Sequence, residues 1–86
     1  MSSVEEVKAG VARFSDEVGQ QVGAIRSSAE ALSSSGAALR AITSGSSHSQ
    51  VAETIAKVEQ AKQKLAEAAA LAQSAIESSR GYAASF

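Results

Sequence analysis

Thr43-Ser44-Gly45-Ser46-Ser47-His48-Ser49-Gln50 is the only stretch of this chain in which apolar periodicity stops for several residues in a row. Small polar residues gathered round a glycine read as a turn, because Gly accepts left-handed backbone and Ser competes for local hydrogen bonds. The stretch lies near the middle of 86 residues, with helically spaced apolar residues on either side. A short connection between two long helices makes them antiparallel neighbours. The expectation is therefore an all-α fold, a two-helix antiparallel hairpin. One helix runs over about 3–43, the turn over 43–50, a second helix over about 50–80, and a tail over 81–86.

Upstream of the turn, Ser3-Val4-Glu5-Glu6 matches the Ser-x-x-Glu capping box and places the helix start at Ser2 or Ser3. Acids in the first turn also suit the helix dipole. The apolar seam then runs Val4, Val7, Val11, Phe14, Val18, Val22, Ile25, Ala29, Leu32, Gly36, Leu39. Its steps alternate between three and four, with a repeated four across Phe14–Val18–Val22, as in a heptad seam with one phase shift. Arg13–Glu17 and Arg26–Glu30 lie at i,i+4, the spacing of surface ion pairs. Gly10, Gly19, Gly23 and Gly36 each cost a helix about 1 kcal/mol against Ala. Gly19-x-x-x-Gly23 sits among Asp16, Glu17, Gln20 and Arg26, so it reads as close packing in a bundle, or as plain tolerance, rather than as a membrane dimer motif. Ser33-Ser34-Ser35-Gly36 is the weak spot; a continuous helix is expected, the alternatives being a kink or an end that leaves a separate short helix over 37–42.

Downstream, Ser47-x-x-Gln50 fits a second capping box, and Ser49 is itself a good N-cap. The second seam runs Val51, Ile55, Val58, Lys62, Leu65, Ala69, Ala72, Ile76. Lys62 fits such a seam if its aliphatic stem packs and its ammonium reaches water. Leu71 lies just off the seam and suggests a second contact face, while Glu53–Lys57 and Lys64–Glu67 mark the wet side. Arg80-Gly81 reads as a helix end, a cation in the last turn followed by Gly, with 82–86 as a frayed tail unless Gly81 is tolerated and the helix continues. Tyr82 and Phe86, two of the three aromatics, then stand at i,i+4, either as an anchor for a partner or as a cap on the bundle end. Helices of these lengths measure about 60 and 45 Å, which leaves one end of the first overhanging.

Nineteen of the apolar residues are Ala, and only Phe14, Tyr82 and Phe86 are aromatic. Ala favours helix but buries little area, so one hairpin seam falls short of the apolar burial a small fold needs. The hairpin is therefore expected to complete its core with its own copy or a homologous hairpin, dimerising into a four-helix bundle. The larger seam residues of both helices, with Leu71, Tyr82 and Phe86, form the candidate interface.

A net charge of −1 offers no basic cluster for nucleic acid. No apolar run approaches a membrane span, and near-neutral charge with few aromatics disfavours a lipid-surface helix. The acidic N-terminus lacks an apolar leader core, which predicts a cytoplasmic protein or one secreted without a cleaved signal peptide. The one histidine, His48, falls in the turn; Ser residues have no arranged base, and no metal-pair or phosphate-loop motif occurs. No cofactor and no enzymatic activity are expected.

The plan of the chain resembles the small WxG-type helical hairpins exported by type VII secretion, through its length, the Ser44-Gly45 turn and the position of Tyr82. The resemblance implies pairing into four-helix bundles, and a role as adaptor for, or partner of, a larger secreted protein. No Trp precedes Gly45, and Phe86 stands where that family's export motif carries an acid. The texture of the second helix is also similar to chemoreceptor coiled coils and granule-coating phasins. The expected function is a non-enzymatic protein–protein interaction module; the alternative is a structural protein that assembles without limit.

Overall fold

The computed structural model describes residues 3–86 and contains two helices, α1 (Val4–Ile42) and α2 (Ser49–Ala84), packed along their length as a hairpin. Ser3 caps α1, its Oγ accepting from the Glu6 N–H at 3.1 Å. Ser2, the other candidate start, lies outside the described residues. α1 runs unbroken through Ser33–Gly36. It stops at Thr43, whose N–H and hydroxyl both donate to the Leu39 carbonyl, at 2.9 and 2.7 Å. Gly45 then takes the left-handed backbone, φ 84°, that a side chain would strain.

The start of α2 differs from the serine caps expected. His48 is the N-cap, and its imidazole Nδ1 accepts from the Gln50 N–H at 3.1 Å. The end of α2 differs too. The helix runs through Gly81 to Ala84, so that 39 and 36 residues face each other and neither helix greatly overhangs. Gly81 continues the helix because stopping there would expose carbonyls that three further residues can bond; Ser85 closes the end by donating to the Tyr82 carbonyl.

One close approach sets the register. A Cβ on Gly36 would lie 3.3 Å from Val58 Cγ1, so α2 passes where α1 has no side chain. Carried along both helices in steps of three and four, that contact places Leu39 opposite Ile55, Leu32 opposite Lys62 and Ala29 opposite Leu65. It continues with Ile25 opposite Ala69, Val22 opposite Ala72, Val18 opposite Ile76, Ser15 opposite Ser79 and Val11 opposite Ala83. Every one of these residues is buried or half-buried. A large side chain faces a small one in most layers, which is how an Ala-rich seam interdigitates. Lys62 behaves as expected, half-buried with Nζ 3.3 Å from the Glu59 carboxylate.

The seam passes through Ser15, not Phe14. Ser15 is 7% exposed, whereas Phe14 is 39% exposed. The steps from Val11 to Thr43 are then regular, and the phase shift moves to the first turns. The Ser15 hydroxyl is buried without a partner, while Ser79 across the seam donates to its own helix at Ile76. The glycines separate in the same way. Only Gly36 marks a close approach; a Cβ on Gly10, Gly19, Gly23 or Gly81 would meet nothing within 4 Å, which overturns close packing within the hairpin as the reason for Gly19-x-x-x-Gly23. Of the ion pairs expected, Glu53–Lys57 and Lys64–Glu67 form at 3.1 and 3.5 Å. Arg13–Glu17 and Arg26–Glu30 are not among the bridges of the described residues.

Two predictions rest on this seam. Ser15→Ala removes an orphaned buried hydroxyl and improves helix propensity, so it is expected to raise unfolding free energy by about 1–2 kcal/mol in urea titration. A loss of stability would show that the hydroxyl is bonded. Gly19→Ala and Gly23→Ala are each expected to stabilise by about 1 kcal/mol, whereas Gly36→Leu is expected to destabilise by about 1–3 kcal/mol through overpacking against Val58. Equal effects at the three glycines in thermal melts would refute the register.

Candidate interaction surface

A heptad seam has two flanks, and here they differ in chemistry. On one side of the seam α1 places Glu5, Ala12, Gly19, Arg26, Ser33 and Arg40, and α2 places Ala52, Glu59, Ala66, Gln73 and Arg80. Arg40 and Glu59 meet across the helices at 3.2 Å, which puts these two rows on a common side of the hairpin. Both partners are about half exposed, so the pair contributes little more than registration of the flank. A shallow groove lined by Lys8, Asp16 and Arg80 continues the charged edge toward the open end.

The opposite flank carries no charge at all. α1 contributes Val7, Phe14, Gln21, Ser28, Ser35 and Ile42, one residue every seven; α2 contributes Thr54, Ala61, Ala68, Ala75 and Tyr82. Leu71 lies beside them, between Ala68 and Ala75 on the helix surface. Four of the six large apolar side chains left in water lie on this side, Val4 and Phe86 being the others. Phe14, Ile42, Leu71 and Tyr82 are all exposed, Ile42 and Leu71 by 82% and 74%. Charges appear only at its outer edge, as Glu17 from α1 and Lys57 and Lys64 from α2. At the open end Tyr82, in the last turn of α2, and Phe86, just past it, meet edge to face with ring centroids 5.2 Å apart and both residues exposed.

The candidate interface residues thus divide in two. Val11, Val18, Val22, Ile25, Leu32 and Leu39 from α1, and Val51, Ile55, Val58, Leu65 and Ile76 from α2, are spent inside the hairpin, buried or half-buried. Val7 is half-buried at the edge of the uncharged flank. Phe14, Leu71, Tyr82 and Phe86 remain on the outside, where only a partner could cover them. Spacing alone ranked Phe14 with the seam because it weighs hydrophobicity and not phase. Ile42 was missed because it abuts the turn, although it stands four heptads after Phe14.

The molecule exposes 6094 Å². A compact protein of 8.7 kDa would expose about 4,700 Å². The radius of gyration is 19.4 Å against about 12 Å for a globule of this length. The hairpin is a rod of 63 × 17 × 15 Å whose surface excess is of the size that protein interfaces remove.

The surface grooves are shallow; all but one, on the outer face of α2 at Gln60, lie along or beside the seam. Among the described residues no three His, Asp or Glu side chains come together to hold a metal ion. No helix among them is long and apolar enough to cross a membrane. Compared with known proteins, the chain matches no family model, no curated protein and no solved structure.

Proposed function

We propose that this chain is a non-enzymatic protein–protein interaction module whose first partner is a second copy of itself, or a homologous hairpin, laid on the uncharged flank to complete a four-helix bundle. The observation that carries the reading is the segregation of exposed apolar side chains onto one charge-free side. A face without charges on either helix is compatible with its own copy, since no like charges oppose each other when two such faces meet. Its footprint, 63 × 15 Å or roughly 900 Å², matches the ~800 Å² per partner of a stable interface. The Ala, Ser and Thr positions allow close helix approach, with Phe14, Leu71 and Tyr82 as the larger anchors and Glu17, Lys57 and Lys64 as a polar rim. An adaptor role toward a larger secreted protein rests on the type VII resemblance.

Analytical ultracentrifugation over a concentration series is expected to give a species of twice the 8.7 kDa chain mass that reaches a plateau. Leu71→Glu, which sets a charge in the middle of the uncharged flank, is expected to weaken pairing on the order of 10–100-fold. Ala66→Glu on the charged flank is expected to leave it unchanged. A cooperative, fully helical monomer at high micromolar concentration would overturn the proposal. Growth without a plateau would favour an open-ended structural assembly instead.

A further inference from the structure

The turn holds the chain's only imidazole, and that ring has a defined structural task. The N-cap of α2 is His48, and Nδ1 accepts the Gln50 N–H at 3.1 Å. The His48 N–H is itself held by Ser46 Oγ at 3.3 Å, and its carbonyl accepts from Val51 N–H at 3.0 Å, so backbone bonds hold the residue on both sides. A ring nitrogen can accept only when unprotonated, which requires the neutral tautomer with its hydrogen on Nε2. Ser, Thr, Asp and Asn, the usual N-caps, keep their acceptor at neutral and mildly acidic pH alike. Histidine does not.

We infer that the α2 cap is a proton-sensitive joint: protonation of His48 replaces the acceptor at Nδ1 with a donor and releases the first turn of α2. Two effects act in one direction. The capping bond is lost, because donor would face donor. The new cation stands at the N-terminal end of a helix, where the backbone dipole is positive. Arg40 of α1 lines the same groove as His48, but its guanidinium is paired with Glu59, so it adds little net charge there. The first two acids of α2 are both paired and do not offset this. Glu59 is held by Arg40 and Lys62, and Glu53, one turn into α2, is held by Lys57. The first turn of α2 carries no acid of its own.

The sign follows from linkage. A neutral ring makes the capping bond and a protonated ring cannot, so lowering the pH favours the uncapped state. The consequence falls on the closed end of the uncharged flank. Another groove there is lined by His48, Gln50, Val51 and Thr54, with Leu39 from α1, so loosening this turn loosens that end of the exposed face.

The test compares wild type with His48→Asn, which keeps a side-chain acceptor at the cap but does not titrate. At matched concentration and ionic strength the wild-type melting temperature is expected to fall by about 4 °C between pH 7.5 and 5.5, and the variant's to stay level. Nitrogen-15 NMR of wild type at pH 7.5 is expected to show Nδ1 without a hydrogen. Hydrogen exchange of the Gln50 amide, corrected for intrinsic pH dependence, is expected to accelerate on acidification in wild type only. An equal fall in both proteins, no fall in wild type, or a hydrogen on Nδ1 at pH 7.5 would each overturn the inference. All three readouts stand whether or not the hairpin pairs.

Discussion

The place where Gly36 lets α2 approach within touching distance of α1 governs the rest of the molecule. Two Ala-rich helices have little to interlock with, and their register would be loosely specified if each seam position held a similar small residue. Setting no side chain at Gly36 against Val58 creates one position at which only a single alignment fits. The layers on either side repeat the device in milder form, Leu65 against Ala29 and Ile25 against Ala69. The glycine costs helix propensity and returns specificity, a trade typical of positions where backbone approach matters more than local preference.

That register also sorts the exterior. Once the seam is assigned, every remaining residue belongs to the charged side, the uncharged side or the back of its own helix. The division of charge between the flanks is a property of the sequence, but it has meaning only in three dimensions. Arg40 and Glu59 are nineteen positions apart in the chain and neighbours in space. Phe14 and Tyr82 lie near opposite ends of the chain, and on the same side near one end of the rod.

Much of this was legible in advance, and the failures have physical reasons. Glycine and small polar residues in the middle could only be a turn, and Ser3 with Glu6 could only be a helix start. Lys62 was recognised in the seam because a long stem can bury its carbons. Phe14 was misplaced because hydrophobicity outranked phase; the small Ser15 lies on the buried line that runs from Val11 to Thr43. Gly81 was read as a stop because glycine commonly follows a last turn, yet a helix already supported by a partner tolerates it. His48 escaped notice as a cap because imidazole is an uncommon acceptor there, and its role depends on a tautomer that the one-letter sequence does not record. The flank asymmetry was visible only after the seam was assigned correctly.

The antiparallel register also dictates an order of assembly. Leu39 and Ile55 are close in the chain, so bringing them together closes a short loop, whereas Val11 and Ala83 enclose almost the whole polypeptide. Loop-closure entropy therefore favours a zipper that starts at Gly45 and travels outward, each layer shortening the loop for the next. Ser15 and Ser79 form the second layer from the far end, among the last to close, where an unpartnered hydroxyl rewards closure least. The hairpin opens from that end first, and the aromatic rings stand beside the place where it opens.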